Sequence, residues 1–129
     1  MDAGTTTARK RPIAVILEDD HGVRRSLQLL LQGKNFEVKA HASATALLAD
    51  PEVLNASCLI ADFILSELDG ITVLETLRRR GWAGPALLMT AFGTEQIADR
   101  ARAAGFCEIL AKPFRDHALL NALGRVMVS

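Results

Sequence analysis

The sequence predicts an α/β fold, a doubly wound five-stranded parallel sheet with helices on both faces. Three observations predict it. Short apolar, β-branched runs alternate five times with longer segments of helical periodicity. Three of those runs, 13–17, 57–61 and 86–90, are almost continuously apolar, as strands buried on both faces of a parallel sheet are. Acidic residues, a threonine and a lysine stand at the ends of the runs, where open parallel sheets place their sites.

Taken in order, the strand candidates are 13–17, 36–40, 57–61, 86–90 and 107–111. After the first, Val23, Leu27, Leu30 and Leu31 fall on one helical face, and Gly33 sits where that helix should stop. Ser43 is placed to cap a helix carrying Ala46, Leu47 and Leu48. Asp69 can cap the next, with Val73, Leu74 and Leu77 as its buried face. Thr94 begins a fourth with Ile97, Ala101 and Ala104; Leu119, Leu120, Leu123 and Val126 mark the fifth. Right-handed βα crossovers then give a (βα)5 flavodoxin-like sheet of order 2-1-3-4-5. Residues 12–129 form one domain, and the polar, basic residues 1–11 read as a flexible tail.

Composition narrows the function. A chain of 129 residues buries enough surface to fold without a disulfide or structural metal. Lys plus Arg and Asp plus Glu number 15 each, so no net basic charge steers the chain onto nucleic acid, and no direct nucleic-acid binding is expected. The two basic runs, Arg9 to Arg11 and Arg78 to Arg80, read as a tail and the solvated end of a helix. Cys58 and Cys107 lie in apolar runs and read as buried, reduced thiols. No apolar stretch approaches the ~18 residues of a membrane span, and the N-terminus has no signal-like hydrophobic region. The expectation is a cytoplasmic protein with no membrane contact.

The strand-end rule shortens the list of candidate site residues. Glu18, Asp19 and Asp20 follow the first strand, Asp62 follows the third, Thr90 ends the fourth, and Lys112 with Pro113 ends the fifth. Carboxylates converging on one edge repel, by about 4 kcal/mol per pair at ~4 Å and an effective dielectric near 20. A hard divalent cation and an ammonium group are the natural relief. Asp62 is then a charge-balanced nucleophile, with Thr90 and Lys112 placed to meet phosphate oxygens. Asp20 and Asp69 read more simply as helix caps. No glycine-rich phosphate loop is present, and His21, His41 and His117 lack metal-ligand spacing.

These residues make the chain resemble the receiver domains of two-component response regulators, over residues 13 to about 127. The resemblance rests on Val15-Ile16-Leu17-Glu18-Asp19-Asp20, on Asp62 through Asp69-Gly70, on Leu88-Met89-Thr90-Ala91 and on Lys112-Pro113-Phe114. It implies a phosphoacceptor at Asp62. It also implies Mg²⁺ (or Mn²⁺) held by Glu18, Asp19, Asp62 and the carbonyl of Ile64, and phosphoryl sensing by Thr90 and Lys112, ahead of a Lys112–Pro113 bond that is usually cis. The implied partners are a histidine kinase or histidine phosphotransfer protein and an output partner; a homodimer is compatible with it. The domain would be no enzyme beyond its own phosphorylation and dephosphorylation.

Two departures stand out. Ser66 occupies a position that is often proline, which implies a less rigid loop. Ile109 stands where the family often has Phe or Tyr, so an aromatic readout is in question. Ile64 and Phe92, two residues beyond Asp62 and Thr90, flank the approach of hydrolytic water in the resembling family. Two further readings stay open at this point: an interaction scaffold that works without phosphorylation, and the receiver half of a longer DNA-binding regulator.

Overall fold

In the computed structural model, which describes residues 11–127, strands and helices alternate as expected. The order is β1 (Ile13–Leu17), α1 (His21–Gly33), β2 (Glu37–His41), α2 (Ala44–Leu48), β3 (Cys58–Asp62), α3 (Gly70–Arg79), β4 (Ala86–Thr90), α4 (Glu95–Ala104), β5 (Glu108–Ala111) and α5 (Asp116–Val126). A short 3-10 turn, Pro51–Asn55, lies between α2 and β3. All pairings are parallel, in the order β2-β1-β3-β4-β5. The tail expected over residues 1–11 falls, apart from Arg11, outside the described residues.

The three near-continuous apolar runs are the three central strands. β3 and β4 are buried along their whole length, and β1 at all but its first residue. The edge strands β2 and β5 are only partly buried, which is why their runs are more polar. Each sheet face has its own core. On one face Leu17, Leu59 and Leu88 pack under Leu47, Leu74 and Leu77; on the other Ile16, Ile60 and Met89 pack under Leu27, Leu31 and Leu119.

Side-chain caps fix where the helices start. Asp20, Ser43, Asp69 and Thr94 each accept the amide of the third residue onward, the arrangement that satisfies an otherwise orphaned donor. Asp20 and Asp69 thus do have the capping role that the simpler reading assigned them. Two expectations need correction. Cys107 is exposed, because it lies in the turn leading into the edge strand β5; Cys58, in a central strand, is buried. The run Arg78 to Arg80 is not merely a solvated helix end. Arg78 stacks on the Trp82 ring at 5.1 Å and donates to the carbonyls of Trp82 and Gly105, at 3.0 and 3.1 Å. Arg80 donates to the carbonyl of Leu48 at 2.6 Å, while Trp82 Nε1 donates to Ala56 at 3.0 Å.

These bonds close the end of the sheet where the strands begin, opposite the acidic edge. Arg78→Met keeps most of the apolar stem but removes two hydrogen bonds and the stack on Trp82. It should destabilise the fold by about 1–3 kcal/mol. Denaturant unfolding checks the loss, and titration of the acidic edge with Mg²⁺ should be unchanged in the same variant.

Candidate functional site

The strand-end residues meet in one pocket. Asp62 is the last residue of β3, paired with Met89 in the ladder, and its successor Phe63 donates to the Met89 carbonyl at 2.8 Å. Thr90 ends β4 opposite Ala111, and the Lys112 amide donates to the Thr90 carbonyl at 2.9 Å. The parallel ladder therefore carries Asp62, Thr90 and Lys112 to one edge. Glu18 arrives from the neighbouring strand end, its amide bonded to the His41 carbonyl at 3.2 Å.

Glu18 and Asp62 are buried, 1% and 7% exposed, so their charges need partners inside the protein. Lys112 Nζ supplies them, 2.9 Å from Glu18 Oε1 and 3.4 Å from Asp62 Oδ2. The other Glu18 oxygen accepts the Asp20 amide at 3.1 Å. Arg24 reaches back to the carbonyls of Glu18 and Asp19, at 2.9 and 3.4 Å, and so pins the backbone of the acidic pair. Sequence reasoning missed Arg24; its only trace is the arginine pair Arg24–Arg25 one turn after the acids, which does not say which of the two turns back. Thr90 is buried, and its Oγ1 accepts the Phe92 amide at 2.9 Å, leaving its own proton free to donate into the pocket. The Lys112–Pro113 bond is cis.

Glu18, Asp19 and Asp62 can each offer a carboxylate oxygen within 4.8 Å of the other two. Three hard oxygen donors, one of them on the exposed Asp19, fit a divalent cation of the Mg²⁺ or Mn²⁺ kind. Ile64, two residues beyond Asp62, lies in the adjoining loop with its side chain half exposed, at 51%. Phe92, two residues beyond Thr90, is 54% exposed in the loop that follows β4. Beside Lys112, a groove of about 650 Å³ opens between the start of α1 and the turn before α5, lined by Val23, Ser26, Leu27, Ala91 and Phe114. Ile109, where an aromatic ring was in question, is partly buried against the core. Gly70 is required by the site: an added Cβ would stand 2.3 Å from the Asp62 carbonyl oxygen.

Comparison with known proteins agrees with this geometry. The response regulator receiver domain family matches residues 14–124. Nodulation protein W of Bradyrhizobium diazoefficiens is 35% identical over 120 residues, covering 93% of this chain and 53% of that protein. Transcriptional regulatory protein FixJ of Azorhizobium caulinodans is 32% identical over 108 residues, covering 84% of this chain and 51% of that protein. In structure, the chain is similar to Vibrio cholerae chemotaxis protein CheY4, with a TM-score of 0.85 at 23% identity over 90% of this chain and 98% of that one. The non-phosphorylated HemR receiver domain of Leptospira biflexa gives 0.83 at 24% identity, over 92% and 96%. The chain belongs to the response regulator receiver family: it is a receiver domain of two-component signalling. It spans about half the length of the curated relatives it matches. Among the described residues, no helix is long and apolar enough to cross a membrane.

The pocket sets the protonation of its central carboxyl. Burial pushes the Asp62 carboxyl up to about 6, aided by the charge of Glu18 and opposed by Lys112. Burial works against the Lys112 ammonium too, but the hydrogen bond and charge of Glu18, with the charge of Asp62, outweigh it and raise its pKa. The linkage has a definite sign. The folded Asp62 binds its proton more tightly than the unfolded one, so this group's contribution to stability falls as pH rises from 3.8 to about 6. Asp62→Asn removes that penalty. At neutral pH without metal it should be more stable by ~1–2 kcal/mol, allowing for solvent screening at the open pocket, and the gain should vanish once both forms are protonated. Thermal unfolding across that pH range checks it.

Proposed function

We propose that Asp62 is the phosphoacceptor of this receiver domain. The observation that carries the reading is the buried Asp62 carboxylate set between Lys112 Nζ and the oxygens of Glu18 and Asp19. A carboxylate oxygen of Asp62 attacks the phosphorus of a phosphohistidine. The new oxygen–phosphorus bond forms as the phosphorus–nitrogen bond breaks, and the freed imidazole takes up a proton from solvent. Glu18, Asp19, Asp62 and the Ile64 carbonyl would hold Mg²⁺ or Mn²⁺. The ion, when bound, offsets the charge of the phosphoryl oxygens and of the acids around them. Lys112 meets one phosphoryl oxygen with its ammonium, and Thr90 donates its hydroxyl proton to another.

The donor is a histidine kinase or histidine phosphotransfer protein, which places the domain in the cytoplasm. The apolar groove between α1 and the turn before α5 supports that partner, since it borders Lys112 and can seat a helix beside the pocket. The similarity to FixJ, a transcriptional regulatory protein, supports an output partner that reads the phosphorylated state. No external substrate is turned over; the domain catalyses only its own phosphorylation and dephosphorylation. The test is incubation with a small acyl-phosphate donor and Mg²⁺. Asp62 should gain the mass of one phosphoryl group, and the gain should be lost in Asp62→Asn and with chelator. Modification that persists in Asp62→Asn would refute the assignment.

The lifetime of the phosphoryl group follows from how water reaches it. Hydrolysis needs a water held in line with the oxygen–phosphorus bond, and positioning supplies most of the catalysis in such transfers. Ile64 and Phe92 have no side-chain group that can hydrogen-bond a water, and both are half exposed in the loops that follow Asp62 and Thr90. Ile64→Asn or Phe92→His should therefore speed loss of the phosphoryl group severalfold while uptake at Asp62 persists. Decay of the phosphorylated fraction after donor removal measures this, and decay no faster than wild type in both variants would count against it.

A further inference from the structure

We propose that Glu67 is a positioning residue for the cation pocket, acting through Thr45 at the start of α2; the proposal rests on the metal-dependent phosphoacceptor reading above. The loop of residues 63–69 joins Asp62 to α3 and carries Ile64. Its two ends are secured. The Gly70 amide donates to the Phe63 carbonyl at 3.0 Å, and Asp69 caps α3 while its second oxygen meets Arg100 of α4 at 3.3 Å. Between them Ile64, Ser66, Glu67 and Leu68 are exposed. Serine rather than proline at Ser66 removes one backbone restraint from this stretch.

One contact replaces it. The Glu67 carboxylate accepts the Thr45 amide at 3.2 Å and the Thr45 hydroxyl at 2.9 Å from each oxygen. Among the described residues, Glu67 is the one member of residues 64–68 that makes a hydrogen bond to the rest of the protein. The partner is well anchored: α2 is capped by Ser43, and its Ala44 and Leu47 are buried. A bond from an exposed loop to an anchored helix lowers the entropy that the loop must lose when Ile64 joins a ligand set. The tether therefore raises cation affinity without touching the cation.

The test is Mg²⁺ affinity, measured by titrating backbone amide shifts in the intact domain, beside the thermal midpoint of each metal-free variant. Thr45→Val keeps every charge and removes the hydroxyl; it should weaken Mg²⁺ binding about threefold. Glu67→Ala should weaken it about five- to tenfold, and Thr45→Ser should match wild type. The Glu67→Ala, Thr45→Val double variant should be no weaker than Glu67→Ala alone, because both changes break one link. Metal-free thermal midpoints should stay near wild type, since both groups are at the surface. Weakening by Glu67→Ala with none by Thr45→Val would assign the effect to lost negative charge and overturn the tether. Fully additive losses would overturn it too. A wild-type domain that neither binds Mg²⁺ nor takes up phosphoryl would instead refute the function beneath the proposal.

Discussion

The ammonium of Lys112, wedged between Glu18 and Asp62, is the interaction on which the acidic end of this domain depends. Two nearly buried carboxylates stand at the end of an apolar sheet, 1% and 7% exposed. Left unpaired, a buried charge costs several kcal/mol, a large share of the net stability of a domain this size. Lys112 reduces that cost because the backbone delivers it. Its amide is bonded to the Thr90 carbonyl, so the side chain starts at the right height and has only to cross the pocket. The compensation is partial: Asp62 still titrates high. A site left short of positive charge in this way suits a divalent cation.

The opposite end of the molecule is built on another principle. Arg78, Trp82 and Arg80 donate hydrogen bonds to loop and helix-end carbonyls that the ladder leaves unpaired. Those bonds close the turns where strands begin, while the loops at the strand ends keep exposed Ile64, Leu68 and Phe92.

The sheet and its acidic edge were legible because both obey positional rules. Continuous apolar runs marked the central strands, and the strand-end rule collected Glu18, Asp62, Thr90 and Lys112 before any contact was known. Register at the edges was less legible. Phe36 was expected in β2, but its amide is used by the Leu31 carbonyl to close α1, so the strand begins at Glu37. Asp62 was placed just after its strand and proves to be its last residue. Side-chain bonds between residues distant in sequence left no trace in the pattern. Arg100 with Asp69 spans 31 positions, Arg78 with Gly105 27, and Thr45 with Glu67 22. A charged residue on a solvated face reads the same whether or not a partner folds against it.

Those unpatterned bonds bear on how a phosphoryl group is felt beyond the pocket. Moving a two-state element from 1:99 to 99:1 takes about 5.5 kcal/mol, whereas one hydrogen bond contributes roughly 1 kcal/mol. No single contact suffices, and with Ile109 at the usual aromatic position a rotating ring is not at hand. The loops offer a distributed route. Thr90 can donate its proton into the pocket while its oxygen keeps the Phe92 amide, so a displacement of Thr90 pulls on the loop that leads to the Thr94 cap of α4. α4 is in turn tied to the loop that follows Asp62 through Arg100 and Asp69, and that loop to α2 through Glu67 and Thr45. Each link is small. Together they link α4, the loop that follows Asp62 and α2 into one chain of contacts.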